Sequence, residues 1–257
     1  MHLRIASVNA ASGRDLASGA VDTFVLTTAV AALDADVVAV QEVDHLLPRS
    51  ARADQTALLA AATGSSGRFV ATVHGTPGVV DGFTPAERTV PDEPSYGVAL
   101  LSRLPVLEWR EERMAPGRAR LPLPVPGQGL RWIPDEPRAV VAAVVATAAG
   151  PVSVLGTHLS FSPARSVAQL RAVRRFAAEL PRPLVLLGDL NLPPGVVRRV
   201  LPWRALVTGP TFPAPAPRVQ LDHALADGLP AEARVSARIE RVGGSDHRGV
   251  VVDLTFG

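Results

Sequence analysis

The chain lacks lysine and cysteine: its 257 residues carry 26 basic side chains, and every one is an arginine. Without lysine there is no P-loop NTPase, no protein kinase of the usual kind and no Schiff-base or pyridoxal-phosphate enzyme, since each needs a lysine amine. Without cysteine there is no thiol nucleophile, no disulfide framework and no cysteine-ligated zinc or iron–sulfur site. Aromatic residues make up only 4% of the chain. No apolar stretch approaches the roughly 18 residues a spanning helix needs. The longest small-apolar run, 139–149, is β-branched in its first half and reads as a buried strand. The N-terminus enters an alternating segment with no cleavable signal pattern, so the expected location is cytoplasmic. Arginine-only basicity with abundant Ala, Pro and Val points to GC-rich, bacterial coding.

What remains for metal or acid–base work is 24 carboxylates and 6 histidines, with Asn, Ser and Tyr. The formal charge of +2 is close to neutral and argues against a nonspecific nucleic-acid binder. Arginines can still line a local anionic site.

Along the chain, Leu3, Ile5 and Ser7 alternate with Arg4, Ala6 and Val8 to give a first strand ending at Asn9. Helical spacing over Val21 to Leu33 places Val21, Phe24, Val25, Thr28, Ala29 and Ala32 on one face. Val37 to Val40 reads as a buried strand ending at Gln41-Glu42, and Arg52 to Thr63 as a helix stopped by Gly64. Arg68 to His74 is a strand, and Gly75 to Ser95, rich in breakers, a loop. Gly97 to Ser102 is expected to turn at Arg103-Leu104-Pro105 and pair with Val106 to Arg110. Met114 to Pro137 reads as an irregular surface excursion. A hairpin follows, Arg138 to Thr147 with Val152 to His158, then a helix from Pro163 to Leu180. Leu184 to Leu187 is a buried strand, with a short helix near Pro193-Pro194. Gln220 to Ala226, Arg234 to Val242 and Gly249 to Phe256 close the chain. A strict βαβ repeat is absent after residue 75, so two packed mixed sheets with helices outside fit better than one doubly wound sheet.

Position carries the functional signal. Buried-looking strands end in polar residues: Asn9, Glu42, His158, then Asp189 with Asn191, while Asp246-His247 precede the last strand. Rigid sheets gather reactive groups at a rim in this way. Asp189 and Asn191, two apart, share one face of an extended backbone. Glu42 and Asp246 add hard oxygen ligands of the kind Mg²⁺ prefers. His247 is titratable near neutral pH, and Asp222 could hold it in one tautomer. Each residue alone has a structural explanation, as a turn former, a surface ion pair or a hydrogen-bonded histidine. Their joint occurrence outweighs those.

These residues resemble the endonuclease/exonuclease/phosphatase superfamily. The resemblance runs from Arg4 to Asp253 through short motifs in family order: Ile-Ala-Ser-Val-Asn9, Val-Val-Ala-Val-Gln-Glu42, Tyr96-Gly-Val-Ala-Leu-Leu-Ser102, Gly-Thr-His158, Leu-Leu-Gly-Asp189-Leu-Asn191, Leu-Asp222-His and Ser-Asp246-His247. It implies a four-layer α/β sandwich, two packed mixed sheets flanked by helices, as one domain over 1–257, with Mg²⁺ or Mn²⁺ as cofactor. Glu42 would be the principal metal ligand, with Asn9 and Asp246. His247, supported by Asp222, would be the general base in one version of the family mechanism, and Asp189 would activate the water in another. His158 would act on the leaving or a non-bridging oxygen, and Asn191 would hold the phosphate. Arg138 sits where related sequences often carry an arginine and would contact substrate phosphate; Tyr96 is a weaker match.

The implied activity is metal-dependent hydrolysis of a phosphate ester by a monomer. Nucleic acid, phospholipid and inositol phosphate all stay open as substrates, as does a catalytically idle binding module. A calcineurin-like phosphatase would need an early Asp-x-His and a Gly-Asn-His-Asp segment, and a serine hydrolase a Gly-x-Ser-x-Gly turn. None of these occurs.

Overall fold

Long runs of Val, Ala and Leu suit strands covered on both faces, and the computed structural model, which describes residues 1–77, 82–117, 120–125 and 129–257, folds them so. In chain order the first elements are β1 (His2–Asn9), α1 (Thr23–Ala31), β2 (Val37–His45), α2 (Gln55–Thr63), β3 (Ser66–Gly75), β4 (Phe83–Pro85), β5 (Ser95–Ser102) and β6 (Val106–Met114). Next come β7 (Arg120–Val125), β8 (Gly129–Pro134), β9 (Arg138–Thr147), β10 (Gly150–His158) and α3 (Pro163–Ala178). The chain finishes with β11 (Leu184–Asp189), α4 (Pro194–Val200), β12 (Arg204–Ala205), β13 (Asp222–Asp227), β14 (Arg234–Arg241) and β15 (Arg248–Thr255).

The first sheet has the order β14-β15-β1-β2-β5-β3-β4, the second β12-β13-β11-β10-β9-β6, and β7 and β8 form a separate hairpin. Both sheets share one central pattern. A parallel pair, β1 with β2 or β10 with β11, is flanked on each side by an antiparallel neighbour. The ends of the parallel strands therefore lie at the same rim as the starts of their neighbours. Asn9, Glu42, His158 and Asp189 come from strand ends; Tyr96, Arg138, Asp222 and His247 come from strand starts.

Alternation of side chains builds the layers. Ile5, Val37, Ala39 and Leu100 of the first sheet pack against Val141, Ala143, Val154 and Leu187 of the second. The opposite face of the first sheet, with Val8, Val38 and Val40, receives Leu26, Val30 and Leu59 from α1 and α2. The outer face of the second sheet, with Val140, Val144, Leu155 and Leu186, receives Leu170, Val173, Phe176 and Val197 from α3 and α4. Helix, sheet, sheet, helix is the four-layer sandwich expected. At about 1.5–3 kcal/mol for each fully buried aliphatic side chain, the inter-sheet layer is a main source of stability. No helix is long and apolar enough to cross a membrane among the described residues.

Four expectations need correction. Val106 to Arg110 does not pair back on β5: β6 crosses to the second sheet and pairs with β9, because β5 already has β2 and β3 on its two edges. The excursion after Met114 is not wholly irregular, since Arg120 to Val125 pairs with Gly129 to Pro134; 118–119 and 126–128 lie outside the described residues. Likewise, Phe83 to Pro85 adds an edge strand to β3 within the expected loop, and 78–81 lie outside the described residues. The face of α1 was also misread. Leu26, Thr27 and Val30 are buried, whereas Phe24 is 79% exposed. The helix carries no charge to mark its outer side. Its start is set instead by Asp22, whose carboxylate accepts from the backbone N–H groups of Phe24 and Val25.

Candidate active site

The expected residues meet where the two sheets abut. The first sheet contributes Asn9, Glu42 and the Asp246-His247 turn; the second contributes His158, Asp189 and Asp222, with Asn191 just beyond β11. Glu42 owes its direction to a β-bulge. The β2–β5 register shifts between Val40 and Val43, and Glu42 sits at φ 56°, a conformation costly for a residue with a Cβ. Asn191 also adopts the left-handed region, at φ 50°, which asparagine tolerates.

Asp189 is the hub. Its Oδ2 lies 3.6 Å from His158 Nε2 and 3.6 Å from His247 Nε2, and accepts from Asn9 Nδ2 at 3.2 Å. The backbone N–H of Asn191 donates to Oδ1 at 3.0 Å. Asn9 bridges to the other lobe, donating from Nδ2 to Glu42 Oε1 at 3.1 Å, while its Oδ1 accepts from the Ala11 N–H at 3.0 Å. His247 Nδ1 donates to Asp222 Oδ2 at 2.9 Å, which turns Nε2 toward Asp189. Ser245 fixes this corner: its hydroxyl donates to the Asn9 carbonyl at 2.7 Å and accepts from the His247 N–H at 3.1 Å.

These contacts set the protonation states. Burial disfavours charge on His247, but the hydrogen bond and charge of Asp222, with Asp189 and Asp246, outweigh it and push the imidazole up to about 10. Burial and the charge of Asp222 push Asp189 up to about 7, against the pull of His247 and the Asn191 N–H. Burial, then the charges of Arg138 and His247, hold His158 well below its ordinary value, so that it stays neutral near pH 7. Glu42 is pushed up chiefly by burial, with Asp246 adding and the Asn9 hydrogen bond opposing.

Arg138 stands at the start of β9, at the expected rim. Only 2% exposed, it lies behind His158 with Nη1 3.1 Å from His158 Nδ1 and Nη2 3.4 Å from Glu136 Oε2. A guanidinium only donates. Nδ1 of the neutral ring must therefore accept, and the ring proton sits on Nε2. Asn191 Nδ2, which donates to the Leu159 carbonyl at 3.0 Å, lies 3.3 Å from that Nε2. Two N–H donors thus face one another with no acceptor between them, the arrangement that an anionic oxygen satisfies. Tyr96 is buried at the same rim, its ring under the Arg49 guanidinium at 5.6 Å.

Two donor sets suit a cation. Glu42 and Asp246 line a cleft of about 210 Å³, and Asn9, bonded to Glu42 through Nδ2, carries an Oδ1 that accepts from the Ala11 N–H and keeps a second lone pair. All three offer hard oxygens, and a divalent ion would relieve the burial and like-charge pressure on Glu42. The second set, Asp189, Asp222 and His247, has ligand atoms within 4.8 Å of one another. The buried Asp222 Oδ1 has no hydrogen-bond partner among the described residues.

Some neighbours carried no sequence signal. Phe212 packs on His247 with ring centres 4.8 Å apart, and Phe161 meets His158 edge-on at 6.2 Å. Both come from loops with no pattern to mark them. The other imidazoles meet different partners: His223 bonds the Leu192 carbonyl, His45 the Pro91 carbonyl and His74 the Ser95 hydroxyl.

Gly188 lets Asp189 come this close to His158. It lies at φ 153°, and a Cβ there would stand 2.1 Å from the Thr157 carbonyl oxygen on β10. Gly188→Ala is expected to cost at least about 2 kcal/mol in chemical denaturation, the size associated with overpacking and backbone strain. A variant within 0.5 kcal/mol of the parent would show that β10 and β11 can spread freely.

Residues 6–247 match the model of the Endonuclease/Exonuclease/phosphatase family. Among solved structures, an endonuclease/exonuclease/phosphatase from Beutenbergia cavernae DSM 12333 superposes with a TM-score of 0.69 at 24% identity, over 100% of this chain and 72% of that one. A mannosyl-6-phosphatase from Bacteroides thetaiotaomicron VPI-5482 gives 0.63 at 16% identity, over 99% and 100%. A humanized D. rerio TDP2 gives 0.60 at 16% identity, over 99% of each chain. Identities this low show a shared fold. No curated protein sequence matches the chain.

Proposed function

Because the chain belongs to the endonuclease/exonuclease/phosphatase family, whose members are hydrolases of phosphate esters, we propose that it hydrolyses a phosphodiester or phosphomonoester by direct attack of water, with Mg²⁺ or Mn²⁺ as cofactor. The observation that carries this reading is the convergence on Asp189 Oδ2 of two imidazoles, each with its outer nitrogen fixed by a partner.

Glu42, Asp246 and Asn9 would hold the cation. When bound, it supplies positive charge against the phosphate oxygens. The chain's own groups do the rest. The proton of the attacking water passes to the Asp189–His247 pair, which Asp222 holds in place through His247 Nδ1. His158 Nε2–H and Asn191 Nδ2–H face the place where a phosphate oxygen gathers charge, as an oxyanion hole does. Arg138 holds His158 in the donating tautomer from behind. One solved neighbour is named a phosphatase, which keeps the monoester within the proposal beside the nuclease.

The test is a hydrolysis panel with Mg²⁺ and Mn²⁺: plasmid DNA, abasic duplex, RNA, sphingomyelin and inositol phosphates, each before and after exhaustive chelation. At least one substrate should be cleaved, and chelation should return its cleavage to background. Full activity after chelation would remove the cation from the reading. Cleavage of none would sink the reading for these substrate classes.

A further inference from the structure

The cleft that holds Glu42 and Asp246 is also lined by two arginines, Arg14 and Arg49. Neither is used by the hydrolytic machinery described above. Arg49 is fixed. Its Nε donates to Asp44 Oδ2 at 2.8 Å and its Nη2 to Asp44 Oδ1 at 2.6 Å and to the Ser12 hydroxyl at 2.9 Å. Asp44 is wholly buried on β2, two residues beyond Glu42, so the guanidinium and the carboxylate are held by the same strand. Nη1 makes no hydrogen bond among the described residues, and it belongs to a side chain that lines the cleft. Arg14 is exposed, forms no ion pair among the described residues, and also borders an adjoining hollow of about 250 Å³ beside α1.

A lone exposed arginine is ordinary. A preorganised one is different, because a guanidinium already held in place loses little entropy when it meets an anion. The cleft is too small for a whole drug-sized ligand, which takes about 300–1,000 Å³, but large enough for one substituent. We propose that Arg14 and Arg49 form a subsite for a second phosphate group of the substrate, apart from the one that is cleaved. The subsite rests on the phosphoesterase reading for its role in turnover, though not for its existence as an anion site. Asp44 and Ser12 are positioning residues: they aim Arg49 and touch no substrate.

Two sources carry this chemistry, a nucleic-acid strand and a polyol bisphosphate, and they separate in a paired assay. The pairs are pTpT against TpT and inositol 1,4-bisphosphate against inositol 1-phosphate, whose members differ by one phosphate. In one pair the parent enzyme should favour the more phosphorylated member in kcat/KM, and that preference should shrink about tenfold in Arg49→Gln and in Arg14→Gln, mainly through KM. The pair that shows it identifies the source. Equal losses on both members would make Arg49 merely structural, and no preference in either pair would overturn the subsite. Arg14→Gln, at an exposed position, keeps the test open if Arg49→Gln fails to fold. Should the parent hydrolyse neither pair, titration calorimetry with inorganic tripolyphosphate decides. Binding that is weakened at least tenfold in both variants retains the anion site while the phosphoesterase reading fails. Absence of binding, or binding indifferent to both substitutions, overturns the site itself.

Discussion

Replacement of His247 by alanine should lower kcat by about 10²–10⁴-fold, the range for losing a group that moves a proton in the transition state. The geometry makes this the most telling change. His247 Nδ1 is committed to Asp222 at 2.9 Å and its Nε2 faces Asp189 at 3.6 Å, so no neighbouring side chain can take over both contacts. Alanine also strips Asp222 of its ion-pair partner, and Asp222 Oδ1 already lacks a hydrogen bond among the described residues. A stability cost of about 1–3 kcal/mol should therefore accompany the kinetic loss. His247→Gln, which still offers Asp222 an N–H, should recover much of that stability and little of the turnover. The comparison separates chemistry from folding, and near-parental turnover by either variant would remove His247 from the mechanism.

Glu42→Gln should reduce hydrolysis by about 10²–10³-fold, on the scale of removing one preorganised electrostatic partner of the transition state. The exchange is nearly isosteric and the Asn9 hydrogen bond has an acceptor in the amide oxygen, so thermal unfolding should hardly change. The cation concentration for half-maximal rate should rise by at least about tenfold, because a carboxamide is a weaker ligand for a hard ion. An unaltered cation requirement would place the ion elsewhere, with Asp189, Asp222 and His247 the other available set.

Most of the site was legible because it is written at the ends of apolar strands. A polar residue closing a run such as Val-Val-Ala-Val or Leu-Val-Leu-Leu has few structural reasons to be there. The chain's two asparagines, Asn9 and Asn191, both stand at this rim. What could not be read was anything set by packing between distant segments. The contact of Arg138 with His158 was one such feature, because local sequence says nothing about depth and only the closing of β9 against β10 brings the two together. Arg49 follows Glu42 in a short turn over Pro48 to Ser50 with no pattern to mark it. The role proposed for it depends on its two hydrogen bonds to Asp44, on the bulged strand. The partner of β6 was likewise undecidable, since a turn at Arg103-Leu104-Pro105 serves a hairpin and a crossover equally. The four-layer architecture could be anticipated because it needs only strand count and order, whereas α1 was rotated wrongly because its surface is uncharged.

The proposed catalytic groups are divided between two sheets, and neither sheet holds a complete set. Turnover should therefore monitor alignment of the sheets as well as the integrity of each. The layer between them, Ile5, Ala39 and Leu100 against Val141, Val154 and Leu187, acts as the joint that keeps the halves of the site in register. Close packing gives such a joint almost no play. Thinning it far from the rim would loosen the site in the way a worn bearing loosens a machine whose cutting faces are still sharp.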